Sequence, residues 1–380
     1  MPATTNGKPP VLVVVQLGGG NDFMNTLIPY GSNVYYDSRP KVSIAQEDVL
    51  PMNDMYGWHP MLGPFKDMFD AGDVAVIQGI GYPNSSRSHF RAQDIWHTCE
   101  PDKISTEGWL GKVIRELDPK GDNPLTGVNF GRGLSRSLAL SGVPVTSIGS
   151  LDNYGLMTGL SDQQERVQAL TTFKDMYSQA IGTGPVMDYL AQTGLDVLRG
   201  AEELKKAPQL YKSNVEYADN PIAQSLRDAA RVHLADLGAR VLYTQQGGYD
   251  VHANENPTQP KLLGDLAGAI HDFWDDLRQH NAADNVVMMV WTEFGRRIKD
   301  NGSGTDHGSG GGAFLIGDRV NGGLYSEYPS VDPSQWLNGE DLVHTYDYRG
   351  YYSTILDQWM KVEPKPVVNG SYEQLQGIFN

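Results

Sequence analysis

Side chains with the chemistry of metal ligands follow apolar runs at several distant points of this chain. They are Asp22, Asp250, His252, Glu293, Asp306 and His307. Carboxylates combined with imidazoles suit Zn²⁺ or Mn²⁺, whereas a subset dominated by oxygen suits Mg²⁺ or Ca²⁺. The residue types therefore predict a divalent-metal centre that holds one or two ions.

Each of these residues also has an ordinary structural explanation. Asp22 is typical of a turn or of a helix N-cap, and Glu293 precedes two arginines that are potential ion-pair partners. Asp306 and His307 lie in the glycine-rich stretch 301–312, where glycine permits close backbone approach. Several such sites in one chain, all near the ends of predicted strands, favour a metal centre over separate structural roles.

A second stretch with reactive residue types is "GYPNSSRSHFRAQDIW" (81–96), which follows an apolar run. Ser86 and Ser88 are candidate nucleophiles, because a serine at a strand–helix junction is activated by a metal or by helix N–H groups. Arg87 suits a tetrahedral anion, which it can hold through two parallel hydrogen bonds. His89 is the fourth candidate catalytic residue. An ordinary N-cap cluster of Ser and Asn is the alternative.

Short apolar runs bounded by Gly, Asn or Asp supply the strands that must position these residues. The runs are 11–17, 73–81, 143–149, 239–248, 285–295 and 313–317. Most are continuous, which is typical of strands covered on both faces, and a helical pattern at 259–279 predicts a βαβ unit. The predicted fold class is α/β, with a mostly parallel central sheet and helices on both faces. Strand carboxyl ends share one crevice in such sheets, so distant residues can converge there.

A single domain over 11–380 accounts for this pattern. The polar, Pro-rich start at 1–10 is predicted to be disordered or trimmed. Residues 151–238 have a more helical texture, with a capping-box pattern at 161–164 and an Asn220-Pro dipeptide typical of a helix start. We interpret this segment as a mostly helical insertion.

Composition limits the partners. The net charge is −16 and no block of Lys and Arg occurs, which argues against nucleic acid or an anionic membrane surface. No apolar stretch approaches the ~20 residues that a membrane span requires. Cys99 is the sole cysteine, so the chain can form no internal disulfide.

Six motifs, in order along nearly the whole chain, resemble a bacterial family of sulfatase-like proteins with a domain of unknown function. They are "VVVQLGGGNDFMNTLIPY" (13–30), "HPMLGPF" (59–65), "NSSRSHFRAQDIW" (84–96), "GGYDVHAN" (247–254), "TEFGRRIKDNGSGTDHGSGG" (292–311) and "TYDYRGYYSTIL" (345–356). That family belongs to the alkaline phosphatase superfamily and is often exported by the twin-arginine route. The resemblance implies an alkaline phosphatase/sulfatase-like fold and a periplasmic or secreted location, with the export signal absent from this sequence; a cytoplasmic location stays open.

The resemblance also implies that the metal ligands are divided between two ions. One ion would be bound by three residues of the later motifs: Asp250, His252 and His307. Asp22 would be the first ligand after the opening strand, and Glu293 would help it hold a second ion. Phe294 stands where related phosphatases place a histidine, so the second site departs from the pattern of the superfamily.

The same resemblance makes Ser88 the nucleophile, with Ser86 and a metal-bound water as alternatives. Sulfatases convert a Cys or Ser in a C/S-x-P-x-R signature to formylglycine. Here "CEPDK" (99–103) ends in lysine and follows the expected nucleophile, so we interpret it as a coincidence.

The predicted function is that of a metal-dependent hydrolase acting on small-molecule or glycan esters of phosphate or sulfate. The alternative is an exported, non-catalytic protein of the same fold that binds an anionic glycan or a protein partner. A nucleotide oxidoreductase built on "GGGND" ranks below both, because the glycine spacing is not G-x-G-x-x-G. The sequence leaves the oligomeric state open.

Overall fold

A computed structural model describes residues 7–131, 133–152, 163–180 and 203–380, together with residues 184, 187, 195, 200 and 201. The strands are β1 Val11–Gly18, β2 Leu27–Ile28, β3 Leu50–Pro51, β4 Gly57–Trp58, β5 Val74–Gly81, β6 Gly127–Phe130, β7 Thr146–Ile148, β8 Val241–Gly247, β9 Val286–Thr292, β10 Arg296–Asp300, β11 Thr305–His307, β12 Gly311–Ile316, β13 Gly323–Tyr325 and β14 Tyr346–Asp347. The α-helices are α1 Asn33–Ser38, α2 Gly63–Asp70, α3 His89–Thr98, α4 Trp109–Leu117, α5 Gln163–Ala180, α6 Lys206–Leu210, α7 Pro221–Leu234, α8 Glu255–Gln279, α9 Tyr348–Thr354 and α10 Pro364–Val368. A π-helical stretch, Ile355–Met360, continues α9.

The central sheet has nine strands in the order β13-β5-β12-β9-β1-β8-β6-β7, with β14 beside β5. Every pairing in this sheet is parallel except those of β12, which runs antiparallel to both β5 and β9. The predicted mostly parallel α/β sheet is confirmed. Two small antiparallel sheets, β10-β11 and β2-β4-β3, lie apart from it.

The side chains of β1 alternate between two hydrophobic cores. Val11, Val13 and Val15 belong to the core that includes α2, α7 and α8. Leu12 and Val14 belong to the core that includes α3, α4 and α9. Because full burial of a Val or Leu side chain stabilises a fold by about 1.5–3 kcal/mol, a strand buried on both faces is firmly placed. Helices therefore cover both faces of the sheet, as the continuous apolar runs predicted.

The direction of β12 determines what gathers at one edge of the sheet. β1, β5, β8 and β9 all run the same way, so their carboxyl ends lie at a common edge. β12 runs the opposite way, so its amino end lies at that same edge. The short hairpin β10-β11, which leads into β12, is thereby brought beside the loops that follow the parallel strands.

The predicted insertion at 151–238 is described in part. α5 and α7 lie within it, and Asn220 caps α7 by accepting a backbone hydrogen bond at 2.9 Å, as predicted. Residues 161–162 of the predicted capping box lie outside the described residues, as do residues 1–6 of the predicted disordered start. The single-domain organisation stays a prediction. None of the helices in the described part of the chain combines the length and apolar character that crossing a bilayer requires.

Two buried histidines are expected to make the fold sensitive to acid. Burial lowers the pKa of His59 and of His97 to about 4, below the value of about 6.5 in an unfolded chain. The stability that these neutral imidazoles provide is therefore complete above about pH 6.5 and is lost as the pH falls towards about 4. Urea unfolding followed between about pH 7 and pH 4 should show a smaller acid loss for His97→Gln, by on the order of 3 kcal/mol. The exposed His271→Gln is the control; equal acid loss in His97→Gln and the unaltered protein would contradict the prediction.

Candidate metal centre

Three of the predicted residues form a compact group at the carboxyl edge of the sheet. His89 begins α3 after β5, Asp250 follows β8, and His307 ends β11. One potential ligand atom from each lies within 4.8 Å of the others. His252 joins them, because its Nε2 lies 3.2 Å from Asp250 Oδ1 and 2.8 Å from His307 Nε2.

One carboxylate oxygen is the focus of the group. Asp250 Oδ1 lies 3.2 Å from the Nε2 atom of His89, 3.2 Å from that of His252 and 3.0 Å from that of His307. Burial raises the pKa of Asp250, but hydrogen bonds and nearby positive charges outweigh burial and hold that pKa below its ordinary value. A negative oxygen thus faces three imidazole nitrogens.

The opposite nitrogen of each imidazole has a hydrogen-bond acceptor. His89 Nδ1 lies 2.9 Å from Glu293 Oε1, and His252 Nδ1 lies 2.9 Å from Asp306 Oδ1. His307 Nδ1 lies 2.7 Å from the backbone carbonyl oxygen of Arg87. Because carboxylate and carbonyl oxygens only accept, each Nδ1 donates, and in the neutral imidazole each Nε2 then presents its lone pair to the centre.

This arrangement calls for a cation. With both Nδ1 atoms protonated, the two Nε2 lone pairs of His252 and His307 face each other across 2.8 Å, where a bound metal or an additional proton is needed between them. The buried His89 Nε2 makes no hydrogen bond to any described residue. Tetrahedral ligands at about 2.0–2.1 Å from Zn²⁺ lie about 3.3 Å apart, close to the 3.0–3.2 Å between Asp250 Oδ1 and the three Nε2 atoms. The residues therefore fit a divalent ion with mixed nitrogen and oxygen ligands.

Glu293 lies behind the centre rather than in it. Its buried carboxylate accepts hydrogen bonds from His89 Nδ1, from Gln93 Nε2 at 3.0 Å and from the backbone N–H of Gly19 at 2.9 Å. Burial acts to raise the pKa of Glu293, but the hydrogen bonds from His89 and Gln93 outweigh burial and hold that pKa below its ordinary value, so the carboxylate is ionised.

Gly19 has a φ of +122°, and a Cβ there would lie 2.4 Å from the backbone nitrogen of Asp250. Glycine is therefore required where these two loops meet.

Asp306 has the corresponding position behind His252. Its Oδ1 accepts a 2.9 Å hydrogen bond from His252 Nδ1 and a 3.1 Å hydrogen bond from Asn301 Nδ2. The bond from His252 is the main cause that lowers the pKa of Asp306. Asp306 and Glu293 thus contact the outward nitrogens of the histidines, and neither is part of the group on Asp250.

Asp22 is not brought into this group. Its side chain is 1% exposed and forms a buried ion pair with Arg39, which is 0% exposed. Its other oxygen accepts a 3.2 Å hydrogen bond from the backbone of Met24, so Asp22 has the N-cap role that the sequence left open. Burial and the charge of Asp22 raise the pKa of the neighbouring Glu255 to about 9.

The candidate nucleophiles lie directly before His89. Ser88 is the N-cap residue of α3, but its hydroxyl makes no capping bond. Ser86 Oγ accepts a 3.2 Å hydrogen bond from the backbone N–H of Ser88. The guanidinium of Arg87, the predicted anion clamp, pairs with Asp341 and lies 3.6 Å from Glu340. Cys99 of the imperfect sulfatase signature is 1% exposed at the end of α3.

Arg296 is a site residue that the sequence did not reveal. Its buried guanidinium donates to the carbonyl oxygens of four residues: Gly19, Gly20, Tyr249 and Thr305. It also lies 2.9 Å from Asp250 Oδ1. One side chain therefore joins the loops after β1 and β8 to the hairpin β10-β11. The only sequence signal was an arginine three positions after Glu293, which equally suits a local ion pair.

Residues 79–362 match the family described as "Protein of unknown function (DUF1501)". Among curated proteins, none matches the chain.

Several solved structures have a similar chain path. The sulfatase PsFucS1 from Pseudoalteromonas sp. is 10% identical, with a TM-score of 0.44 over 97% of this chain and 71% of that chain. A protein in the alkaline phosphatase superfamily from Vibrio parahaemolyticus is 10% identical, with a TM-score of 0.39 over 96% and 71%. The zinc-complexed C-terminal periplasmic domain of EcEptC from Escherichia coli is 9% identical, with a TM-score of 0.39 over 83% and 75%. Each is a likeness in chain path alone.

Proposed function

The chain belongs to the DUF1501 family of proteins of unknown function, and we propose, from the chemistry of its site, that it is a metal-dependent hydrolase of phosphate or sulfate esters. The observation that carries the proposal is the convergence of three imidazole Nε2 atoms on Asp250 Oδ1 while each Nδ1 has an acceptor. Metal-binding histidines characteristically have such acceptors, which fix the tautomer and the ring orientation.

Four side chains would hold the ion: His89, Asp250, His252 and His307. Three nitrogen donors and one oxygen donor favour Zn²⁺ or Mn²⁺ over Mg²⁺ or Ca²⁺. The side chains of Asp250 and His252 are 47% and 45% exposed, so solvent and an ester can reach the centre. When bound, the ion would polarise the ester oxygen and favour the ionised form of the nucleophile.

The residues around the centre would supply the remaining functions. Ser88, an exposed residue beside His89 whose hydroxyl makes no capping bond, is the first candidate nucleophile. Ser86 and a water molecule are the alternatives. Glu293 and Asp306 would hold the imidazoles of His89 and His252 in the binding tautomer.

Metal analysis of the purified protein, followed by a panel of chromogenic phosphate and sulfate esters, tests the proposal. We expect about one equivalent of a divalent metal per chain, turnover of at least one ester class, and loss of turnover on chelation with recovery when the metal is restored. A protein that binds no divalent metal, or whose turnover is unaffected by complete metal removal, would refute the proposal.

Glu293 and Asp306, the carboxylates that accept hydrogen bonds from His89 Nδ1 and His252 Nδ1, give a prediction about metal affinity. Glu293→Gln and Asp306→Asn keep the size of each side chain but weaken the acceptor that orients a histidine. We expect each change to lower metal affinity by about 10–100-fold while the fold persists. Competition with a chromogenic chelator measures the affinity, and Asp318→Asn, on the surface away from the centre, is the control for loss of one charge. Unchanged affinity in both variants would mean that these carboxylates do not orient the ligands.

A second candidate function is binding without turnover, by an exported protein of the same fold. It is favoured by the buried ion pair of Asp22 with Arg39, which takes up the residue that the superfamily pattern assigns to a second ion. Bound metal with no turnover of any ester, together with tight binding of an anionic polysaccharide, would select this candidate. A periplasmic or secreted location is part of both proposals and is tested by fractionating cells that express the full-length gene.

A further inference from the structure

Two arginines beside the metal centre share one exposed carboxylate. Glu340 Oε1 lies 3.0 Å from Arg297 Nη1, and Glu340 Oε2 lies 3.6 Å from Arg87 Nη1. The two oxygens of one carboxylate thus contact two different guanidinium groups. The side chain of Glu340 is 45% exposed, whereas those of Arg87 and Arg297 are 34% and 28% exposed.

Both arginines are connected to the histidine cluster. The backbone carbonyl of Arg87 accepts the hydrogen bond from His307 Nδ1. Arg297 Nη1 lies 3.9 Å from Asp306 Oδ2, and the other oxygen of Asp306 binds His252. The guanidinium of Arg297 therefore borders the proposed metal centre beside Asp306, and that of Arg87 adjoins it through the shared Glu340.

The charges around the two arginines are not balanced. Besides Glu340 and Asp306, the buried Asp341 pairs with Arg87 through Oδ2. Asp341 Oδ1 lies 4.0 Å from Arg297 Nε, and both atoms are buried without a hydrogen bond to a described residue. Two guanidinium groups thus face three carboxylates, of which Asp341 is fixed in the interior. The side chain of Glu340 is 45% exposed, so solvent adjoins it on the side away from the arginines.

We propose that Arg87 and Arg297 form a subsite for a tetrahedral oxyanion of the substrate, and that the Glu340 carboxylate occupies this subsite until substrate displaces it. The substrate class rests on the proposed function, but the anion subsite itself does not require turnover. A carboxylate and a phosphate or sulfate group both accept hydrogen bonds from guanidinium groups, so an oxyanion can take the place of the Glu340 carboxylate between the two arginines.

The need to displace Glu340 lowers the affinity of the wild-type protein for oxyanions. The wild-type protein must separate Glu340 from two positive groups before an oxyanion binds, and the displaced carboxylate then repels the anion. Glu340→Gln removes the charge while the backbone carbonyl, which accepts a hydrogen bond from Ile298 N at 3.0 Å, stays in place. The variant is therefore expected to fold normally and to bind oxyanions more tightly.

Isothermal titration of the full chain with inorganic phosphate and with sulfate, before and after metal removal, tests the subsite. We expect Glu340→Gln to bind at least one of the two anions about tenfold more tightly than the wild type, as expected when a charged hydrogen-bond competitor is lost. Arg297→Gln combined with Glu340→Gln should abolish this gain. The two anions, titrated separately, identify whether the subsite prefers phosphate or sulfate.

Glu327→Gln is the matched control, because Glu327 is an exposed residue of the same stretch and its loss changes net charge equally. An affinity for both anions that is unchanged in Glu340→Gln, or raised as much in Glu327→Gln, would overturn the subsite. Failure of the proposed function would look different: no ester would be turned over, while the tighter anion binding of Glu340→Gln would persist. If an ester is turned over but Glu340→Gln changes neither the anion affinity nor the KM, the hydrolase proposal stands and the subsite proposal is refuted.

Discussion

His307→Ala is expected to remove tight divalent-metal binding and, with it, ester turnover. His307 Nε2 lies 3.0 Å from Asp250 Oδ1 and 2.8 Å from His252 Nε2. Loss of His307 therefore removes a proposed ligand atom from the part of the group where the atoms lie closest together. Changes to residues that only orient ligands cost about 10–100-fold in metal affinity, and loss of a ligand itself should exceed about 100-fold. Chelator competition measures the affinity, and turnover is followed on the best ester of the panel.

The control for this experiment is His271→Ala, which removes an exposed histidine from the surface of α8. It should bind metal and turn over ester as the unaltered protein does. Circular dichroism should show that His307→Ala keeps its helices and strands, because that side chain adds little to either hydrophobic core. A His307→Ala protein that still binds metal with unchanged affinity would exclude the proposed centre.

Arg39→Met is expected to lower the free energy of unfolding by about 3–5 kcal/mol. Arg39 is fully buried and pairs with the buried Asp22. It also donates a 2.8 Å hydrogen bond to the carbonyl oxygen of Ile298. Removing the guanidinium leaves the Asp22 carboxylate without its partner in a poorly solvated site, next to Glu255, whose pKa is already raised by burial and by Asp22. Urea unfolding at neutral pH measures the effect.

Two further variants separate the buried charge from the lost packing. Asp22→Asn combined with Arg39→Met removes both charges and should recover part of the lost stability, since no uncompensated carboxylate remains. Lys66→Met breaks the exposed pair with Asp70 on α2 and should cost no more than about 1 kcal/mol. A loss in Arg39→Met that is no larger than in Lys66→Met would show that the buried pair does not stabilise the fold.

The sequence predicted most of the strands whose ends carry the site, but not the hairpin β10-β11 that carries Arg296 and His307, because residues 301–312 have the glycine-rich composition of a loop. Continuous apolar runs identified β1, β5, β8, β9 and β12, because a strand buried on both faces needs an apolar residue at nearly every position. The bounds moved by a few residues. The helix predicted from 259 begins at Glu255, and the strand predicted over 143–149 spans Thr146–Ile148. The family resemblance agrees with the match over 79–362.

The sequence also singled out the three histidines that surround Asp250, with His89 as a candidate catalytic residue, but it did not reveal Arg296. The sequence assigned Glu293, Asp306 and Asp22 to metal ligation, whereas their observed contacts are with other side chains. Glu293 and Asp306 contact outward imidazole nitrogens, and Asp22 is paired with Arg39. A residue type and its place at a strand end suggest that it can bind metal, but they do not say which neighbour its oxygens face.

The sequence by itself thus determined the α/β class, the long buried strands and the polar residues that follow them, since apolar runs and loop residues are local features of a chain. Tertiary structure alone decided that β12 runs antiparallel and brings His307 to the edge where Asp250 lies. It also decided which carboxylates face histidines and which face arginines such as Arg39 and Arg296. These outcomes depend on contacts between residues that are tens to hundreds of positions apart, and such contacts exist only after the strands have taken their order in the sheet.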